Sequence, residues 1–272
     1  MKRFLTYILV ILIFSSILSG CGSKTSNSNI NGKKQILKVG ATDGPMAQIL
    51  EQVKPILAKK NIDLQIVIFN DYVQPNLALA QKEIDANVFQ HIPYFNKFIK
   101  DHNLKLAILG KTIIAPMGIY SKKYKSINDL PNGAKIAIPN DPTNGARALI
   151  LLSRAGLFKL KNGENVGATV NDIIENKKNI KISEIEAAQT ARVLQDVDAA
   201  AVNSNFALPL GLNPQKDAIF AEKPDSQYVN IIAIREEDKG KPVLNELLKA
   251  YQSPEIKKFI EEKFKGSVIP AF

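Results

Sequence analysis

From residue 36 onward, short stretches rich in β-branched residues alternate with segments of helical period, and this alternation restricts the chain to an α/β architecture rather than a sandwich or a bundle. In LKVGAT, Leu37, Val39 and Ala41 recur at every second residue. Asp43-Gly44-Pro45 then turns the chain, and Met46, Ile49, Leu50, Val53, Ile56 and Leu57 follow at helical spacing. LQIVIF, between Asp63 and Asn70, reads as a second strand. A short helix follows Pro75 through Leu79, a strand covers 86–89, and Pro93 opens a helix with Tyr94, Phe95, Phe98 and Ile99 on one side. The stretches 104–109 and 113–120 complete the first section.

A second section starts with a strand at 135–139, followed by NDPTNG and a helix over 143–155 that Gly156 terminates. Ser183 and Glu186 fit a capping box ahead of another short helix. A compact strand covers 199–202, 206–210 starts the next helix, and 228–235 is the last strand. The tail is helical over 242–251 and again after the start signal Ser253-Pro254-Glu255, with Ile256, Phe259, Ile260 and Phe264 as its apolar positions. Residues 126–133 read as a surface link, and no internal repeat suggests a solenoid.

Ahead of this body, Lys2 and Arg3 precede an apolar run from Tyr7 to Leu18 that closes in Leu18-Ser19-Gly20-Cys21. The run is shorter than the roughly 18 to 20 residues of a stable membrane span, so 1–20 reads as a targeting segment cleaved before Cys21. Cys21 is the only cysteine and has no partner for an internal disulfide. Its position resembles a bacterial lipobox, which implies lipidation of the sulfur and anchoring in the lipid bilayer at the extracytoplasmic face of the cell membrane, firm once two or three acyl chains are present. An ordinary cleaved signal with an incidental cysteine is the alternative. Residues 21–35, small and polar, read as a lipid-anchored flexible tether.

The net charge is +10, and without Lys2 and Arg3 there are 34 basic against 26 acidic residues, or +8. The lysines are spread along the chain, with no compact block interleaved with aromatics, so nucleic-acid binding has no support. Two histidines and one cysteine are too few for a Cys/His metal cluster, although a carboxylate-only cation site stays open. Neither a G-x-S-x-G elbow, an H-E-x-x-H helix nor a GxxxxGK[ST] phosphate loop occurs. The sequence therefore offers no catalytic set and implies no cofactor.

Several polar residues stand where a binding cleft would need them. Asn144 and Arg147 share a face near the start of a predicted helix, where free N–H groups favour an anion, and an arginine offers a carboxylate two parallel donors. Asn203 follows the apolar AAAV strand, and Asn230 lies within YVNIIAI. Their carbonyls suit an ammonium and their amides a carboxylate, although Asn203 also fits as a cap for 206–210 and Asn230 as a tie in a hinge strand. Phe69, Tyr72 and Tyr94 form a candidate aromatic wall. Burying one apolar ligand side chain there contributes roughly 1.5 to 3 kcal/mol, short of the ~8 kcal/mol of micromolar binding, so a charged headgroup must be recognised too.

FNDYVQPNLAL (69–79), DANVFQHIPYF (85–95), IAIPNDPTNGARALILL (136–152), AAVNSNFA (200–207) and DSQYVNI (225–231) resemble the NlpA-like family of methionine-binding lipoproteins of ABC importers, as do KVGAT (38–42) and YQSPEIKKFI (251–260). The resemblance covers essentially the whole body. It implies a two-lobed α/β periplasmic-binding-protein fold of type II topology, with 36–117 and 233–272 in the first lobe and 118–232 in the second. It further implies that Arg147 holds a ligand carboxylate and that His91 lines the cleft, bonding the ligand or a neighbouring wall residue, with a turn-capping histidine as the alternative. Two positions depart from the family pattern: Pro45-Met46-Ala47 stands where many relatives have Pro-His-Ala, and Gln227 where proline is frequent. The implied function is capture of L-methionine outside the membrane and delivery to an ABC permease with its cytosolic ATPase. The alternatives are another neutral amino acid, D- or formyl-methionine, or a short methionine peptide, and, in different classes, a surface enzyme or an adhesion or scaffold lipoprotein.

Overall fold

A computed structural model describes residues 34–223 and 226–272. The targeting segment, Cys21 and nearly all of the tether lie outside the described residues. Ten strands make two five-stranded sheets. The first contains β1 (Gln35–Thr42), β2 (Ile62–Phe69), β3 (Ala86–His91), β4 (Leu106–Lys111) and the late β10 (Asn230–Arg235), ordered β2-β1-β3-β10-β4. The second contains β5 (Gly118–Tyr120), β6 (Lys135–Pro139), β7 (Lys181–Ile185), β8 (Ala199–Val202) and β9 (Phe220–Ala221), ordered β7-β6-β8-β5-β9. β1 runs parallel to β2 and β3, whereas β10 lies antiparallel to both of its neighbours.

Helices cover the sheets as the apolar periods require. In α1 (Pro45–Ala58), Met46, Ile49, Leu50, Val53 and Leu57 are fully buried, each contributing roughly 1.5 to 3 kcal/mol. They share one core with Leu244, Leu247 and Tyr251 of α5 (Pro242–Tyr251) and Ile256 and Ile260 of α6 (Pro254–Phe264), and this core backs the first sheet. On its other face lie α2 (Gln74–Ala80) and α3 (Ile92–Asp101). The second sheet packs on α4 (Pro142–Arg154), whose stretch from Thr143 to Leu152 is wholly buried. Asp141 caps α4 by accepting from Asn144 N, and the chain leaves the helix through Gly156 at φ 81°. No helix among the described residues is long and apolar enough to cross a membrane.

The chain passes between the sheets twice. Outward, β4 leads through Ile113–Ile114, which pairs with Ile269–Pro270, and then through Ala115, Pro116 and Met117 into β5. The stretch 113–120 thus holds two short strands in different sheets, since Pro116 has no N–H for a ladder. The return runs from β9 through Glu222 to β10. That strand starts at Asn230, two residues later than expected, after a 3₁₀ turn at Ser226–Tyr228. The expected capping box at Ser183 and Glu186 does not form. Ser183 pairs with Ala137 inside β7, where five residues keep register with β6, and only a 3₁₀ turn follows at Ala187–Gln189. Ladder pairing outweighs the local helix-start pattern.

Candidate functional site

Between the two sheets lies a narrow cavity of about 20 Å³, room for roughly one water and well short of the roughly 300 to 1,000 Å³ typical of small-molecule sites, so a larger ligand enters only as the walls part. Its walls come from the C-terminal end of β3, the start of α3, the buried face of α4, the turn after β8 and the first residue of β10. Arg147 is the only lysine, arginine, aspartate or glutamate among them.

The polar groups on these walls have forced orientations. Both oxygens of the Asp141 carboxylate accept from the Asn144 side chain, at 3.1 and 3.0 Å, so Nδ2 must be the end facing them. Asn144 Oδ1 therefore points the other way and accepts twice, from Asn203 Nδ2 at 2.7 Å and from His91 Nε2 at 3.1 Å. His91 Nδ1 accepts from Tyr94 N at 3.1 Å, capping α3, so the imidazole proton sits on Nε2. Burial, and second the charge of Arg147, push the His91 pKa down to about 3. The ring is neutral with both nitrogens committed. The final consequence falls on Asn203: with Nδ2 held by Asn144, its Oδ1 is a buried acceptor without a partner among the described residues, and the residue lines the cavity. A lone acceptor of this kind is costly unless a ligand donates to it.

Arg147 behaves differently from the expected two-pronged clamp. Its Nε and Nη2 donate to Glu222 Oε1 and Oε2 at 2.8 and 2.5 Å, and Nη2 also donates to the Ala115 carbonyl at 3.0 Å. Its guanidinium carbon lies 4.2 Å from the centre of the Tyr228 ring. The fork is spent on Glu222, and Nη1 is the nitrogen that makes no hydrogen bond to described residues. Burial alone would lower the Arg147 pKa, but the Glu222 carboxylate outweighs it and the net direction is upward.

The apolar wall is Tyr72, Phe89 and Tyr94, with ring centroids 5.8 to 5.9 Å apart. Tyr94 Oη donates to the Tyr72 carbonyl at 2.7 Å. Burial and then the Asp141 charge raise both phenol pKa values, so both stay neutral. From the second sheet's side, the Phe206 ring lies tilted against Tyr72 with centroids 4.9 Å apart, and Asn205 Nδ2 reaches Thr42 Oγ1 at 3.1 Å and the Phe89 carbonyl at 3.2 Å. The halves meet closely there: a Cβ added to Gly44, which has φ 87°, would lie 2.7 Å from Pro209 Cγ.

The family model described as NlpA lipoprotein matches residues 37–272. The chain belongs to the NlpA lipoprotein family. A probable D-methionine-binding lipoprotein MetQ of Vibrio cholerae is 43% identical over 272 residues, covering 99% of each chain. A nutrient binding protein of Burkholderia cenocepacia, solved bound to methionine, is 50% identical with a TM-score of 0.83, over 87% of this chain and all of that one. An ABC transporter periplasmic substrate-binding protein of Coxiella burnetii is 44% identical with a TM-score of 0.82, over 86% of this chain and all of that one. The fold of this NlpA lipoprotein is accordingly the two-lobed α/β periplasmic-binding-protein fold of type II topology.

Within this NlpA frame, seven of the residues expected at the site line the cavity: Tyr72, His91, Tyr94, Asn144, Arg147, Asn203 and Asn230. Phe69 does not. It ends β2, packs over Gly40 and Ile84, and borders a separate recess beside Asp43 and Phe206. Sequence reasoning missed Phe89, Gln90, Ala115, Ser204 and Asn205 on the walls and Glu222 behind Arg147. Phe89 and Gln90 share the VFQH run with His91, and strand alternation sends Phe89 and His91 to one face. Gln90 is tied into a buried amide triad with Asn76 and Asn87, which holds α2 against β3. Glu222 carries no local signal, since its partner lies 75 residues earlier.

Proposed function

We propose that this chain binds L-methionine between two lobes, 36–117 with 233–272 and 118–232, and delivers it to an ABC permease driven by a cytosolic ATPase. Acylated Cys21 would hold it in the bilayer on the extracytoplasmic face. The observation that carries the reading is the pairing of one uncommitted guanidinium nitrogen, Arg147 Nη1, with one orphaned carbonyl, Asn203 Oδ1, on the walls of a single cavity. A donor held at a cation and a lone acceptor match the carboxylate and ammonium of a free amino acid. Asn230 adds a second amide. Tyr72, Phe89 and Tyr94 suit an unbranched thioether, through apolar burial and sulfur contacts with the rings. The chain performs no chemistry on its cargo, in keeping with a neutral His91 whose two nitrogens are already engaged.

The name of the Vibrio cholerae relative favours the D-enantiomer as a second reading. The test is native mass spectrometry of the full chain, purified in detergent before exposure to added amino acids, followed by calorimetry with each enantiomer. A retained mass matching methionine, released on denaturation, is the expected result. Tighter binding of D-methionine would transfer the assignment to that form, and a protein that takes up no amino acid would overturn it.

A further inference from the structure

Glu222 does more in this geometry than hold an arginine in place. Its side chain is 5% exposed, against 3% for Arg147, so both members of the pair are out of water. Its two oxygens take the Nε and Nη2 edge of the guanidinium, and Oε2 also accepts from Met117 N at 2.8 Å. The Glu222 N–H in turn donates to the Met117 carbonyl at 3.0 Å. The carboxylate is thus fixed between the two chain crossings, on the side of the guanidinium away from Nη1. His91 is neutral, and among the described residues no charged side chain other than Arg147 lines the cavity. At the guanidinium itself one positive and one negative charge cancel, and the next carboxylate, Asp141, stands behind Asn144 with both oxygens taken by its amide.

Resting on the proposed amino-acid site, we propose that Glu222 is a specificity-determining residue that selects a ligand of zero net charge, a free amino acid, against the N-acylated anion carrying the same side chain. A zwitterion leaves the enclosed charge balanced. An N-acyl amino acid keeps the carboxylate and loses the ammonium, so it adds an uncompensated negative charge one guanidinium away from a fixed carboxylate. At an effective dielectric near 20, a unit charge across that distance changes binding on the order of 10- to 100-fold. Without Glu222, the bare guanidinium is best matched by the anion.

The experiment compares L-methionine with N-formyl-L-methionine by calorimetry on the full chain in detergent, in the wild type, Glu222→Gln and Glu222→Asp. The wild type should prefer methionine. In Glu222→Gln the ratio of the two affinities should move toward N-formylmethionine by about 10-fold or more, while Glu222→Asp, which keeps the charge, should retain the wild-type ratio even as both affinities fall. Should Glu222→Gln be marginally folded, the rise in Tm produced by each ligand reads the same ratio, because only the native state binds. Equal losses for both ligands in Glu222→Gln would make Glu222 a structural prop and overturn the proposal, as would an Asp variant that shifts like the Gln variant. A wild type that binds methionine normally would keep the binding assignment intact in either case, whereas a wild type that binds neither ligand would overturn both readings.

Discussion

Replacing Asn144 by alanine removes the hub that orients the site. Its Oδ1 is the shared acceptor for His91 Nε2 and Asn203 Nδ2, and its Nδ2 spans the Asp141 carboxylate. The variant leaves two buried donors without a partner, each costing ~1 to 3 kcal/mol. Asn203 recovers part of that by rotating, so the ligand-free protein should lose about 2 to 4 kcal/mol in chemical denaturation. The same rotation takes the Asn203 carbonyl off its mark. A hydrogen bond to a charged ammonium is worth roughly 1.5 to 3 kcal/mol, so methionine affinity should fall by roughly 10- to 150-fold. Asn203→Ala deletes that same carbonyl directly. The two substitutions should therefore be strongly non-additive in binding, the double variant binding about as weakly as the poorer single one. Calorimetry on the four proteins completes the cycle. Additive losses in binding free energy would refute the idea that Asn144 works through Asn203.

Two other outcomes follow from the same geometry. His91 has a pKa of about 3 in the folded protein against an ordinary 6.5, so between those values the unfolded chain binds a proton that the folded one refuses; its stabilising contribution is complete above pH 6.5 and is lost as pH falls toward 3, by up to roughly 4 to 5 kcal/mol. Denaturation of the wild type and His91→Gln at pH 7 and pH 4.5 should show the steeper acid loss in the wild type, and parallel losses would contradict it. Phe69→Ala should leave methionine affinity within about threefold of wild type, because the ring lies outside the cavity, while lowering stability by less than the ~3 to 5 kcal/mol of a fully buried ring; a loss of binding on the scale of Tyr94→Ala would place Phe69 at the ligand after all.

What was legible in the sequence was what is local. The α4 start reads from NDPTNGAR because the cap, the proline and the buried polar face follow one another within two turns. His91 and Tyr94 are likewise joined by a helix cap, so one motif brings both to the site. Ser183 shows the limit of that reasoning. A pattern satisfied over four residues yielded to a ladder with a strand more than forty residues away, which nothing near Ser183 announces. Phe69 was misplaced because the alternation of β2 says which residues share a face but not which face meets the second sheet. Glu222 was illegible for a stronger reason: in FAEKP it reads as a surface charge beside a lysine, and only the return of the chain toward Ala115 and Met117 makes it a buried counter-ion.

The arrangement also separates what must break on opening from what need not. Arg147, Glu222, Ala115 and Met117 bind one another across the two chain crossings; on the proposed reading these crossings are the hinge, which moves least, and the guanidinium keeps its place whether the cleft is open or closed. His91 to Asn144, and Asn205 to Thr42 and Phe89, instead join segments that lie on opposite sides of the cavity. Three neutral hydrogen bonds at a net ~0.5 to 1.5 kcal/mol each, with the Phe206 ring on Tyr72 adding about 0.5 to 1.5 kcal/mol, amount to less than the ~8 kcal/mol of a micromolar ligand. On the proposed reading, closure is held mainly by the cargo, which touches both sides at once, and its release returns the cleft to a state in which opening costs little. A site sealed instead by a broad apolar contact would hold its ligand well and deliver it poorly.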